Sequence, residues 1–209
     1  MSFRPSRTDS FSRGPVNQHN PDPSGKGVAV NKKLIGGREI FICDGFIADE
    51  TAVRVGQLLK TLTYRRSEKS RPDLPVSGAA AEISADLFAR EPFFADLIRF
   101  GEDMFPAERF ALERLYVNSS HYGDVYFPHR DCDQNLKNIT VLYYGNLAWH
   151  ADWAGETIFF NDNHDAELAV TPRPGRFVVS RGAILHRGGV PSGVCHEERF
   201  SIACKLRAL

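Results

Sequence analysis

The chain is poor in the features that mark several large protein classes. Four cysteines, Cys43, Cys132, Cys195 and Cys204, are scattered through 209 residues with no C-x-x-C pair. That excludes a zinc ribbon and a disulfide-built scaffold. Net charge is also missing, since 26 Lys and Arg balance 26 Asp and Glu. With no global basic field to grip a phosphate backbone or an anionic membrane, neither nucleic acid nor membrane is expected as a partner. No apolar run approaches the roughly 20 residues of a membrane span. The opening stretch, MSFRPSRTDSFSRG, lacks the apolar core of a secretory signal. The expected location is the cytoplasm. What remains, 42% hydrophobic, 25% charged and 11% aromatic residues, suits one domain that buries roughly 70% of its unfolded surface.

Residues 1–33 stand apart. They hold four of the 12 prolines, no Leu and no Ile, and a charge of +4 that leaves −4 on the remainder. Too little apolar surface is present to offset the entropy of ordering, so the segment reads as an arm, and residues 34–209 as the domain. REIFIC, residues 38–43, reads as a strand. Val55, Leu58, Leu59 and Leu62 recur at helical spacing, with Asp49 as the N-cap. The stretch YRRSEKSRPDLPVSG reads as a long loop. A second helix is expected from about Pro92, with Phe94, Leu97, Ile98 and Phe105 on one face. After about residue 109, RFALERLYVN, NITVLYYGN, ETIFF, ELAVT, RFVVS and ERFSIACKL are short runs rich in β-branched and aromatic residues. The expected class is α+β, a jelly-roll or barrel of strands buttressed by the N-terminal helices.

The chemistry-bearing residues fall on those strands. In His129-Arg130-Asp131 the imidazole and the carboxylate sit at i and i+2, hence on one face of extended chain. His186, in AILHRGG, follows an apolar strand and can supply a third ligand from across a barrel. Two His and one carboxylate with open opposite positions is the arrangement of non-haem Fe(II) oxygenases, and zinc is the competing metal. On the last strand Arg199, Ser201, Ala203 and Lys205 share one face, and Phe200, Ile202, Cys204 and Leu206 the other. A guanidinium and a hydroxyl projecting together can grip a carboxylate.

Together these blocks resemble the Fe(II)- and 2-oxoglutarate-dependent oxygenases, closest to the prolyl 4-hydroxylase-like branch. The resemblance covers residues 115–206. It runs through Gly123, Tyr126 and His129-Arg130-Asp131, then TVLYYGN, Trp149, Gly155-Glu156-Thr157 and Phe159. It continues with Pro172, Gly175, His186, and the closing Arg199 and Ser201. It implies a double-stranded β-helix, cupin-like core (about residues 109–207), with His129, Asp131 and His186 as iron ligands. Arg199 and Ser201 would hold the distal carboxylate of 2-oxoglutarate, with Tyr126, Tyr144 and Asn118 lining the cosubstrate pocket. Fe(II), 2-oxoglutarate and O2 are the implied cofactors. Because the family's halogenases replace the carboxylate ligand with a small residue, Asp131 favours hydroxylation, with release of succinate and CO2. Two positions depart from the pattern. Ser120 stands where many members of the branch carry Tyr. The basic residue lies 13 positions after His186, and His196 occupies the nearer, more usual place.

Other residues carry less. His121, His150 and His164 fall in loops, Trp149 and Trp153 bracket a loop that can wall a substrate site, and Cys132 alternates away from the metal. Arg65, Arg66, Lys69 and Arg71 form a basic run of the kind that is usually solvated. A compact domain with no recruitment module favours a small-molecule substrate, an amino acid or a biosynthetic intermediate, over a peptidyl proline. The alternatives are a cupin-like binding protein without turnover and a hydrolytic zinc enzyme.

Overall fold

The computed structural model describes residues 28–74 and 78–209. Eleven strands and three helices follow one another as β1 (Ala29–Ile35), β2 (Arg38–Asp44), α1 (Asp49–Lys60), β3 (Arg65–Glu68), β4 (Gly78–Glu82), α2 (Ala85–Arg90), α3 (Phe93–Met104), β5 (Phe110–Ser120), β6 (Ile139–Tyr144), β7 (Thr157–Phe160), β8 (Ala166–Val170), β9 (Phe177–Arg181), β10 (His186–Arg187) and β11 (Arg199–Ala208). Eight strands form one antiparallel sheet in the order β1-β2-β9-β6-β11-β5-β4-β3, and a second sheet runs β10-β7-β8. This is the jelly roll with N-terminal helices expected from the strand pattern, in the double-stranded β-helix form that the resemblance implies.

The pleat of the large sheet sorts its side chains. On β11, Phe200, Ile202, Cys204 and Leu206 join Val117 of β5, Val141 and Tyr143 of β6, and Phe177 and Val179 of β9. The helices cover this face with Val55, Leu59, Phe93, Phe94, Leu97 and Phe100, all buried. At α3 the approach is so close that a Cβ on Gly101 would stand 2.7 Å from Val141 Cγ2 and 3.0 Å from Leu206 Cδ1. Glu91 ties the helices together. Its carboxylate pairs with Arg54 of α1 and accepts the backbone N–H of Phe93, the first residue of α3, at 3.1 Å. The opposite face of the sheet packs Ile40, Val178 and Tyr144 against Phe159 and Val170 of the small sheet.

Four local expectations are corrected. Residues 29–33, assigned to the arm, lie in β1; residues 1–27 of that arm lie outside the described residues. Ile35-Gly36-Gly37-Arg38 closes a two-residue hairpin in which both glycines have positive φ, 54° and 75°. That primed turn suits a strand pair and sets the β1–β2 register without apolar alternation. Residues 65–68, assigned to a loop, form β3 at the sheet edge, where charged side chains suit an edge strand and hide its pattern. Its partner β4, GAAAE, also escaped, because three alanines carry no periodic signal. Asp49 is the first residue of α1 and not its cap; Ala48 holds the cap position, and Asp49 and Glu50 instead place negative charge at the positive end of the helix.

Gly101→Val should overpack the contact between α3 and the sheet and cost about 1–3 kcal/mol. Urea unfolding would show this as a lower midpoint at unchanged slope; an unchanged midpoint would contradict the packing described.

Candidate active site

The H-x-D segment is extended chain laid against the approach to β10. His129 N donates to His186 O and His186 N to His129 O, both at 2.9 Å, and Asp131 N donates to Gly182 O at 2.8 Å. A Cβ on Gly182 would stand 3.4 Å from Asp131 Cβ and 3.1 Å from Cys132 Sγ, so the glycine permits the approach. This pairing brings the three side chains together: one ligand atom from each of His129, Asp131 and His186 lies within 4.8 Å of the other two.

Each imidazole is oriented by its own neighbour. His129 Nδ1 lies 3.0 Å from Phe127 O, and His186 Nδ1 lies 3.0 Å from Ile184 O. A carbonyl can only accept, so Nδ1 carries the proton in both rings and the Nε2 lone pair is left for a ligand. Those Nε2 atoms lie 3.5 and 3.7 Å from Asp131 Oδ1 and Oδ2 respectively. Two neutral imidazoles and one carboxylate, each held from outside the cluster, fit a divalent metal with open positions.

The charges explain the protonation states. Burial pushes the His129 pKa down, but the hydrogen bond and charge of Asp131 outweigh it and hold it above the ordinary value. Burial prevails at His186 and lowers its pKa against the pull of Asp131. Burial alone would raise the Asp131 pKa, yet the surrounding His186, His129 and Lys205 hold it well below the carboxylate range. Thr140 Oγ1 donates to Asp131 Oδ2 at 2.6 Å, and Lys205 Nζ stands 3.0 Å from Oδ1.

A cleft of about 720 Å³, counting its mouth, opens between the two sheets and contains the cluster. Arg199 is only 2% exposed at its other end. Its Nε donates to Gly155 O at 2.8 Å, Nη1 to Ser201 Oγ at 3.2 Å and Nη2 to Thr157 Oγ1 at 2.9 Å. Burial lowers its pKa, with Tyr144 and Tyr126 opposing. No carboxylate lies within ion-pair distance of it among the described residues. Gly155 permits the close approach of the Arg199 side chain: its φ of +84° is open to glycine, and a Cβ there would stand 3.0 Å from Trp149 Cζ2 and 3.1 Å from Arg199 Cδ. Trp149 Nε1 donates to Ala154 O at 2.9 Å, fixing the same turn.

Of the residues singled out from sequence, His129, Asp131, His186, Arg199, Ser201, Tyr126 and Asn118 all line this cleft. Asn118 Oδ1 is buried without a hydrogen-bond partner among the described residues. Ser120, the departure from the usual Tyr, lines the cleft too and donates to Tyr126 Oη at 3.2 Å. Tyr144 does not line it. That fully buried ring lies behind Arg199, 5.1 Å from the guanidinium, with its hydroxyl donating to Thr157 at 2.8 Å. The reason is register: Tyr144 faces inward beside Ser201, but the β7 sheet covers it. His196, the rival for Arg199, is exposed and outside the cleft, as are His121, His150 and His164. Thr140, Thr157, Glu68 and Ser70 were missed. Thr140 is placed by facing Lys205 across β6 and β11, a register that sequence spacing does not give; Glu68 and Ser70 come from the charged edge and carry no signal.

Because acid protonates the Nε2 lone pairs that a metal would use, affinity for a divalent cation should fall as pH drops through the raised His129 pKa. Calorimetric Co(II) titrations should show a loss of about tenfold or more from pH 8 to pH 5.5; pH-independent affinity would contradict the cluster's role as a metal site.

The comparisons with known proteins agree with this geometry. Residues 117–207 match the model of the 2OG-Fe(II) oxygenase superfamily. A prolyl hydroxylase from Trichoplax adhaerens, solved with a hypoxia inducible factor peptide fragment, superposes with a TM-score of 0.62 at 16% identity, covering 80% of this chain and 83% of that one. A Pseudomonas putida prolyl-4-hydroxylase gives 0.58 at 16% identity, covering 83% and 92%. HygX from Streptomyces hygroscopicus, solved with nickel and 2-oxoglutarate, gives 0.57 at 13% identity, covering 83% of each chain. No curated protein sequence matches. Residues 117–207 are thus similar to the 2OG-Fe(II) oxygenase superfamily, an enzyme class that uses Fe(II), 2-oxoglutarate and O2, and the chain shares the fold of the prolyl hydroxylases.

Proposed function

We propose that the chain hydroxylates a C–H bond of a small molecule, an amino acid or a biosynthetic intermediate, with release of succinate and CO2. In this reading His129, Asp131 and His186 hold Fe(II), and Arg199 with Ser201 and Thr157 holds the distal carboxylate of 2-oxoglutarate. The observation that carries the reading is Arg199, a buried guanidinium at the end of the cleft that has no carboxylate within ion-pair distance among the described residues. Burying an unpaired cation costs several kcal/mol, and an incoming dicarboxylate supplies the missing charge. Asn118 Oδ1, unpartnered in the same cleft, is a second polar group awaiting a ligand.

When bound, the iron supplies the coupling of O2 activation to oxidative decarboxylation of 2-oxoglutarate. The protein's own residues bind, orient and exclude water. The carbonyls of Phe127 and Ile184 keep both Nε2 atoms unprotonated. Ser201 and Thr157 keep the Arg199 fork in one plane. Asp131 supports hydroxylation, since a carboxylate fills the position that a halide would need. Phe159, whose ring lies 5.7 Å from that of His186, and Leu142 make the inner wall apolar and keep bulk water out.

The cleft between the sheets supports a small substrate, as does the likeness to SnoN, a non-heme alpha ketoglutarate dependent epimerase from nogalamycin biosynthesis. The second reading, a peptidyl substrate, draws on the likeness to the prolyl hydroxylase solved with its peptide. The four free thiols fit a reducing cytoplasm.

Arg199→Ala should weaken 2-oxoglutarate binding by about 2–5 kcal/mol, read as the dissociation constant in anaerobic titration; unchanged affinity would remove Arg199 from the cosubstrate site. Asp131→Ala should abolish succinate release, and wild-type turnover in that variant would overturn the triad. Substrate screening by succinate release, amino acids against proline peptides, decides the substrate class; stimulation by peptides alone would replace the small-molecule reading.

A further inference from the structure

One charged group in the cluster has no part in the proposed chemistry. Lys205 stands on β11 directly opposite Thr140 on β6. Residues facing each other across antiparallel strands share a side of the sheet, and both reach the same carboxylate. Lys205 Nζ lies 3.0 Å from Asp131 Oδ1, and Thr140 Oγ1 donates to Oδ2 at 2.6 Å. The Asp131 backbone is pinned separately, by its N–H on Gly182 O. Asp131 is therefore held by a backbone hydrogen bond, by a hydrogen bond on Oδ2, and by an ion pair with Lys205 at Oδ1, which has no hydrogen-bond partner among the described residues.

A buried ion pair is a weak device for stability, because its desolvation cost offsets most of the attraction. The Lys205 side chain is 20% exposed and that of Asp131 only 5%, so the pair bears that cost. Its placement has a use in the site. A carboxylate on two rotatable bonds between two imidazoles can turn toward either one, and groups that orient a ligand from outside govern metal affinity.

Resting on the triad assignment above, we infer that Lys205 and Thr140 form a positioning clamp that fixes the Asp131 carboxylate in one orientation before the metal arrives. Neither is a ligand; both act through Asp131.

The test is Co(II) titration of the full chain, reading the dissociation constant and the visible d–d bands, for wild type, Lys205→Met, Lys205→Arg, Thr140→Val and Asp131→Ala. Lys205→Met should retain the wild-type circular dichroism yet lose about tenfold or more in Co(II) affinity, with altered bands. Lys205→Arg, which keeps a cationic donor, should recover most of the affinity. Equal or tighter Co(II) binding by Lys205→Met with unshifted bands would overturn the clamp, leaving the ammonium as a neighbour that only repels the metal. If Lys205→Met fails to fold, Thr140→Val decides by the same criteria. Wild-type affinity in Asp131→Ala would overturn the triad itself, an outcome separate from failure of the clamp.

Discussion

The two reciprocal backbone hydrogen bonds between His129 and His186 are the constraint on which the site depends. They join the extended segment after β5 to β10 and set both imidazoles on one side, 4.6 Å apart between ring centroids. Asp131 is carried along two residues later, onto the same face. Everything that shapes the pairing is local and cheap. Gly182 keeps the crossing free of a Cβ, and each ring is aimed by a carbonyl two residues earlier in its own chain. A metal site in this setting needs no rearrangement of backbone.

The second requirement is a large sheet with unlike faces. Along β11 the same alternation that sends Phe200, Ile202, Cys204 and Leu206 into the helix-covered core sends Arg199, Ser201, Ala203 and Lys205 toward the cleft. Burying four apolar side chains on one face stabilises the strand by about 1.5–3 kcal/mol each. That burial holds in place a guanidinium and an ammonium that the fold on its own would not favour. The cleft thereby carries Asp131 with the two imidazoles at one end and the Arg199 guanidinium at the other, a pattern complementary to a divalent cation together with a dicarboxylate.

Much of this was legible in the sequence, for a definite reason. The strand that carries Arg199 alternates without fault, and H-x-D, the Gly-Glu-Thr turn and the distal His are short blocks whose residue types are chemically specific. Where legibility failed, the governing interaction was long-range or lay in the backbone. β1 is fixed by the Gly36-Gly37 turn and not by burial, since only Ile35 of its seven residues is buried. β3 is charged because it is an edge. Tyr144 has the right face but sits under the small sheet, a covering no single strand reveals. The contacts of Asp131 with Thr140 and Lys205 depend on the register between β6 and β11 and on the path of the H-x-D segment, neither of which spacing encodes.

The central claim is that one cleft holds both Fe(II) and 2-oxoglutarate. Anaerobic addition of Fe(II) and then 2-oxoglutarate to the metal-free protein tests it most directly, through the weak visible charge-transfer band of the chelate. The account predicts a saturable band in wild type that is lost in His186→Ala. Tight binding of another metal with no such band would contradict it, leaving a barrel that binds metal without this cosubstrate.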